Sequence, residues 1–355
     1  MSANNDDFKG YRTPTLDLLQ REESPVWSQV TLHTTGGDFS GLILPRSETA
    51  DADHIVLKLD TGYNIGVRND TVTRISVHGR KEAHYQIPEK EFPYDPKKPR
   101  VKLFGTGGTI ASRLDYRTGA VIPAFSPGEL YGSVPELADI CNMETEKLYG
   151  VFSENMGPDQ WIGTAEAIAA EIEKGVAGIV VGHGTDTMHH TAAALSFMLQ
   201  DSPVPIVMVG SQRSSDRPSS DAAINLINAT RTAATSDIAE VMVCMFGPTS
   251  DRYNLLHRGT RVRKMHSSYR STFRTLGDIP LAMVEDGVVT PLKDDYARRR
   301  ADREVEIQAV FDDRVTLAYY YPNMQADVID ALVDKGYRGI VIAGTGLGHV
   351  NRKVY

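Results

Sequence analysis

The chain reads as an α/β protein with three parts: a small N-terminal SH3-like β-barrel, an open α/β domain, and the start of a second, truncated α/β domain. Three observations lead there. Between Pro25 and Val77 five short runs rich in Val, Ile, Leu and Thr are separated by turn signals such as Gly36-Gly37 and Asp60-Thr61-Gly62. From Val101 onward, apolar runs without alternation are separated by single helical stretches, which implies a parallel sheet covered on both faces. Finally, residues 173–185 (EKGVAGIVVGHGT) are echoed by 334–345 (DKGYRGIVIAGT), each a helix end, a glycine stop and a strand running into a Gly-Thr loop.

In chain order, residues 1–24 begin polar and glycine-broken and are expected to be flexible. The five strands of residues 25–88 fall at 27–35, 38–44, 55–59, 63–67 and 72–77, and closing them into a barrel would remove their exposed edges. Residues 89–100 (EKEFPYDPKKPR), with three prolines among charges, read as a stiff linker. The α/β domain spans 101–292. In it, 159–174 places Trp161, Ala165, Ile168, Ala169 and Ile172 on one helical face; further helices are expected at 191–200 and 220–234, with strands at 179–181, 206–209 and 241–246. A charged linker at 293–304 leads to 305–355, too short to cover both faces of a sheet, so the chain is expected to be a fragment or to lean on a partner.

Composition narrows the function. A formal net charge of −8 argues against a protein that grips nucleic acid along its whole surface. Two distant cysteines, Cys141 and Cys244, fit a reducing cytosol, and neither a basic-apolar leader nor a membrane-length apolar run is present, so a cytoplasmic location is expected.

In an α/β sheet, ligands bind beyond the carboxyl ends of the strands. Three such loops carry reactive side chains. The first follows the strand at 101–105 and reads Gly105-Thr106-Gly107-Gly108-Thr109; its glycine spacing matches neither common phosphate loop, and it aims Thr109 outward as a nucleophile or serves as a plain turn. The second, Gly182-His183-Gly184-Thr185-Asp186-Thr187, presents Thr185 beside Asp186, which also suit a helix cap. The third, a long basic loop after 241–246, runs through Lys264. Nucleophile, proton carrier and a carboxylate for an ammonium group are the parts that acyl transfer from an amide requires. Glycine-turn N–H groups, including those at Gly108 and Gly184, would hold the oxyanion.

GTGGTIAS at 105–112 together with HGTDTM at 183–188 resembles the paired signature of the bacterial-type L-asparaginase and glutaminase family. The resemblance implies an asparaginase-like fold from residue 101 to the end. It implies Thr109 as nucleophile, Thr185, Asp186 and Lys264 as its catalytic assistants, a lid tyrosine at Tyr116, and Ser153 with Glu154 gripping the substrate carboxylate. The preceding barrel, DYRTGAV at 115–121 and RGTRVRKMHSSYRSTF at 258–273 resemble more closely the D-type branch (GatD) of the archaeal glutamyl-tRNA(Gln) amidotransferases. That branch releases ammonia from glutamine for an E-type partner, which holds ATP and magnesium, binds most of the tRNA and converts Glu-tRNA(Gln) to Gln-tRNA(Gln). No cofactor is implied in this chain itself, and a homodimer within a heterotetramer is implied. Leu347 and His349 stand where asparaginases tend to carry asparagine. The other readings are a stand-alone asparaginase with an accessory barrel and an inactive RNA- or protein-binding scaffold.

His183, His189 and His190 lack the accompanying ligands of a metal site and read as structural. Arg252, Arg258, Arg261, Arg263, Arg270 and Arg274 around Lys264, and the run Arg298-Arg299-Arg300, read as solvated charge.

Overall fold

The computed structural model describes residues 5–46, 50–59, 64–80, 94–108, 112–114, 121–123, 134–213, 219–302 and 304–354. The N-terminal strands form where the apolar runs place them: β1 (Ser28–Thr34), β2 (Gly37–Ile43), β3 (His54–Lys58), β4 (Asn64–Arg68) and β5 (Val72–Arg80). They make an antiparallel sheet in the order β4-β3-β2-β1-β5. Among the described residues its edge strands β4 and β5 do not pair with each other, so the sheet is open where closure was expected. What covers its inner face is the segment expected to be flexible. Residues 5–24 fold back as a short turn and helix α1 (Thr15–Arg21), putting Tyr11 and Leu19 into one core with Val26, Val30, Leu32, Ile43, Ile55, Leu57, Val67 and Ile75. The Tyr11 hydroxyl donates to the Leu44 carbonyl (2.8 Å) and accepts from the Val56 N–H (3.0 Å), tying this segment to the sheet. Seven residues are too few for helical periodicity to stand out, which is why sequence pattern passes α1 over.

The larger unit is built on an eight-stranded sheet. In chain order its elements are β6 (Arg100–Gly105), the antiparallel pair β7 (Ser112–Leu114) and β8 (Val121–Pro123), α2 (Leu137–Ile140), β9 (Asn142–Lys147), α3 (Pro158–Glu173), β10 (Gly178–Gly182) and α4 (Met188–Met198). Then follow β11 (Leu199–Gln200), β12 (Ile206–Val209), α5 (Ala222–Thr235), β13 (Val241–Phe246), β14 (Tyr253–Arg258), β15 (Val262–Lys264), β16 (Phe273–Thr275), β17 (Ala282–Glu285) and β18 (Val288–Pro291). The sheet order is β18-β17-β14-β13-β12-β10-β6-β9. Strands β9, β6, β10, β12 and β13 are parallel, and β14, β17 and β18 extend them antiparallel. The sheet is therefore mixed rather than parallel. The stretch read as a long loop after β13 is a return strand, β14, followed by the hairpin β15–β16 that carries Lys264.

Two cores flank the sheet. On one face α5 and α2 pack Leu226, Ala229, Ala233, Leu137 and Ile140 against Val101, Leu103, Val180, Val207 and Cys244. On the other, α3 and α4 pack Ala165, Ile168, Ala192 and Leu195 against Phe104, Ile179, Val181, Met208 and Val243. Alternate residues of one strand serve opposite cores, as side chains of period two must.

The segment 293–304 is not a free linker. Ala297 O accepts from Ala239 N (2.7 Å), Arg299 N donates to Asp237 O (2.8 Å), and the Arg299 guanidinium donates to the carbonyls of Ala177, Ala233 and Ser236. Arg299 thus caps the C-terminal end of α5 and the turn ahead of β10 instead of facing solvent, a correction to its reading as solvated charge. Beyond it, β19 (Glu306–Ile307) pairs with β11, and the last unit is a parallel pair, β20 (Val315–Tyr319) and β21 (Gly339–Ala343), joined through α6 (Asp327–Asp334).

If residues 5–24 belong to the core of the N-terminal sheet, Leu19→Ala, which empties a fully buried site, should destabilise that unit by about 2–5 kcal/mol. Denaturant unfolding followed by the fluorescence of Trp27 would read this; an unchanged transition would return the segment to a flexible tail.

Candidate active site

The register of the parallel strands sets the site. Gly105 at the end of β6 lies opposite Gly182 at the end of β10, and Gly182 lies opposite Val209 at the end of β12, so three loops leave the sheet side by side at its carboxyl edge. Thr106 is stitched across the first pair: its N–H and its hydroxyl both donate to Gly182 O, at 3.0 and 2.9 Å.

The loops then touch backbone to backbone. Gly107 and Gly108 have φ of +125° and +86°, the region only glycine enters freely. A Cβ on Gly108 would fall 2.2 Å from the Cα and N of Gly184; one on Gly184 would fall 2.8 Å from the Ser153 Cβ; one on Gly210 would fall 2.7 Å from His183 O. Side chains are excluded from all three points. Ser153 is buried at the start of a turn (Ser153–Asn155), and its carbonyl accepts from the Thr187 hydroxyl at 2.5 Å, which ties this fourth loop to the second.

Onto this frame the hairpin β15–β16 brings Lys264. Its Nζ donates to Thr185 Oγ1 at 2.8 Å and to Asp186 Oδ1 at 2.7 Å, joining residues almost eighty positions apart. The Lys264 side chain is 6% exposed and that of Asp186 67%, so the amine is sheltered and the carboxylate faces outward. With one partner in solvent, the ion pair contributes geometry more than stability. Because Thr185 Oγ1 accepts from Lys264, its own proton is free to be donated elsewhere.

Of the residues singled out in sequence, Thr185, Asp186 and Lys264 are thus brought together, with Gly108, Gly184 and Ser153 as their support. Glu154 is exposed on the same turn as Ser153. Thr109 and Tyr116 lie outside the described residues. The arginines around Lys264 are largely engaged within the chain: Arg252 with Glu285, Arg258 with Glu240, Arg263 with Tyr319, Arg270 with Ser219 O and Arg274 with Phe273 O.

Family profiles match the chain in three places: "Asparaginase, N-terminal" at residues 100–296, "GatD N-terminal domain" at 26–77 and "Glutaminase/Asparaginase C-terminal domain" at 314–355. The D subunit of a glutamyl-tRNA(Gln) amidotransferase from Pyrococcus furiosus is 51% identical over 315 residues, covering 88% of this chain and 71% of that one. Its counterpart from Methanopyrus kandleri is 47% identical over 352 residues, covering 97% and 77%. The chain belongs to the GatD family of glutamyl-tRNA(Gln) amidotransferase subunits. Among solved structures, the thermostable L-asparaginase from Thermococcus kodakarensis matches at 28% identity with a TM-score of 0.62 over 72% of this chain and 74% of that one. A probable cytoplasmic L-asparaginase from Campylobacter jejuni gives 0.59, also at 28%, over 72% and 77%. What sets this GatD-family chain apart from the asparaginase-type profiles is the N-terminal sheet, which carries its own profile.

Sequence reasoning missed the supports of the GatD-type site. Asp221, fully buried ahead of α5, accepts from the N–H groups of Gln212 (3.0 Å) and Arg213 (2.9 Å), and Asn225 donates to it and to Gly210 O, both at 2.9 Å. Asn254 donates on to Asn225, and Asn228 to Asn254, each at 2.7 Å. This ladder fixes the loop that carries Gly210 against Thr185. Asn225 and Asn228 sit among Ala222, Leu226, Ala229 and Ala233 on the buried side of α5, the signal that marks them in sequence.

Two outcomes test the site's construction. Gly108→Ala should cost more than about 2 kcal/mol, whereas Gly157→Ala, whose added Cβ meets nothing closer than 3.6 Å, should be nearly neutral; equal thermal shifts would refute the interlock. Burial holds the His183 imidazole down at about 4. A folded value below the unfolded 6.5 means that the unfolded chain takes up the proton first, so stability falls as pH drops from about 6.5 to about 4. The His183 share should amount to about 3 kcal/mol, read as a shallower slope of unfolding free energy against pH in His183→Gln.

Proposed function

We propose that this chain is the ammonia-donating subunit of a cytoplasmic glutamyl-tRNA(Gln) amidotransferase. The observation that carries the reading is Lys264 bridging Thr185 and Asp186 beside the Gly108–Gly184 contact, Gly108 being the residue that precedes Thr109 in the chain. Thr109 Oγ attacks the side-chain amide carbon of glutamine. Its proton passes to Thr185, which Lys264 holds, and from this pair to the leaving nitrogen. Ammonia departs, leaving Thr109 esterified; water then attacks the ester along the same proton route and releases glutamate. Backbone N–H groups of the glycine turns face the developing oxyanion. The exposed Asp186 carboxylate receives the substrate's ammonium group, and Ser153, with Glu154 beside it, orients the carboxylate end. The resemblance to asparaginases gives Tyr116 the part of a lid residue.

No metal or nucleotide takes part in this half-reaction. ATP and magnesium belong to an E-type partner, which activates the glutamyl group on tRNA, binds most of the tRNA and consumes the ammonia. Two copies of this chain and two of the partner would make the complex. The likeness to L-asparaginases supports a second reading, hydrolysis of free asparagine without a partner.

Ammonia release from glutamine and from asparagine, with and without partner and Glu-charged tRNA, separates the two. Glutamine turnover that rises with both additions supports the donor; asparagine turnover by the chain alone, indifferent to tRNA, overturns it. Under the turnover conditions Thr109→Ala should abolish release, and Lys264→Met should lower kcat by about 10²–10⁴-fold.

A further inference from the structure

Behind the Thr185–Asp186 loop lies a chain of polar groups that the reaction as described does not use. Trp161 on α3 places Nε1 2.9 Å from Thr191 Oγ1 on α4; Thr191 Oγ1 lies 2.9 Å from His183 Nε2; and His183 Nδ1 lies 2.7 Å from Gly184 O. His183 and Thr191 are fully buried. The two ends of the chain fix the direction of every bond in it. An indole N–H only donates, so Thr191 accepts from Trp161 and its own proton turns to the next acceptor. A carbonyl only accepts, so the proton of the neutral imidazole sits on Nδ1. Nε2 is left bare and receives the Thr191 proton.

The far end of this chain is the peptide that joins Gly184 to Thr185. That peptide is planar and trans, so drawing its carbonyl to His183 also fixes the direction of the Thr185 N–H and the start of the Thr185 side chain. Gly184 has no side chain with which to hold itself, and its close approaches to Gly108 and Ser153 are van der Waals in kind. The hydrogen bond from His183 is the directional one.

We propose that Trp161, Thr191 and His183 form a positioning relay, in which the Thr191 hydroxyl selects the Nδ1–H form of His183 and thereby orients the Gly184–Thr185 peptide under Lys264. The relay rests on the amidohydrolase reading of the site. Without the Thr191 hydroxyl only the Gly184 carbonyl still draws the proton to Nδ1, and the ring, its buried Nε2 left without a donor, is released to turn or change tautomer; a bare Nδ1 would then oppose the Gly184 oxygen, and the peptide would turn away. Thr185 and Asp186 would then leave their places at Lys264. Trp161 contributes at one remove, by taking up the lone pair of Thr191 that faces it.

The test uses the full chain with its partner and Glu-charged tRNA. Thr191→Val keeps the shape and removes the hydroxyl; it should lower kcat/KM for ammonia release from glutamine by about 10- to 100-fold, the scale of an ångström-sized misplacement. Thr191→Ser restores the hydroxyl and should stay within about three-fold of the parent. Trp161→Phe serves if Thr191→Val does not fold, and should give a loss between the two. Ring nitrogen shifts of selectively labelled histidine provide the readout that a merely structural role would not move. The His183 ring, assigned as the signal absent from His183→Gln, should stay locked as Nδ1–H between about pH 7.5 and about pH 5, and Thr191→Val should lose that signature. Parent turnover in Thr191→Val, an equal loss in Thr191→Ser, or an Nε2–H form of the His183 ring in the parent would each overturn the relay. A parent that releases no ammonia would count against the proposed function instead, leaving the relay to be decided by the ring tautomer.

Discussion

The structure depends on a place where two loops meet with no side chain between them. Gly108 approaches Gly184 so closely that a methyl group on Gly108 would overlap the Gly184 backbone, while one on Gly184 would overlap Ser153. Everything the site needs follows from that approach: the loop after β6 is brought against the loop after β10, Ser153 closes on Gly184 from a third side, and Gly210 admits Thr185 from a fourth. Hydrogen bonds then lock what the glycines allow. Thr106 joins the two strand ends, Thr187 secures the Ser153 turn, and Lys264 ties Thr185 to Asp186. Contact comes first, because these bonds have the reach of single side chains and form only between loops already side by side.

Much of this is legible in the residues alone. Buried strands ending in Gly-Thr loops announce themselves by an unbroken apolar run and a glycine, and β12 and β13 fall where residue pattern puts them. Thr185, Asp186 and Lys264 are readable as a group because their residue types make sense only together. Harder to read are features whose cause lies far away in the chain. Strand β14, with Asn254, His257 and Arg258 among its apolar residues, looks like loop until β13 and β17 flank it. Arg299 looks like surface charge until the carbonyls of Ala177, Ala233 and Ser236 converge on it. Residues 5–24 look like a tail because one short helix with polar neighbours carries too little periodicity to be seen.

The polar groups of the interior divide by the same logic. Asp221 with Asn225, Asn228 and Asn254, and Trp161 with Thr191 and His183, are chains of matched donors and acceptors, the first anchored on backbone at Asp221 and Asn225, the second on the Trp161 indole and the Gly184 carbonyl. Satisfied in this way, buried polar groups specify one arrangement of loops, whereas apolar packing tolerates several. Both chains end on the loops of the site, at Gly210 and at Gly184.

The exclusion of side chains from Gly108, Gly184 and Gly210 also bounds how such a pocket can diverge. Positions where backbone touches backbone hold no chemical variety for selection to draw on, so the floor of the pocket is closed to drift. Change has to enter from the rim, through residues that face outward as Glu154 does, or from the second, C-terminal unit, tethered to the first by the Arg299 clasp and the β11–β19 pair. A floor that admits no side chain beneath a rim that does is an arrangement in which the same chemistry could be redirected to different amides.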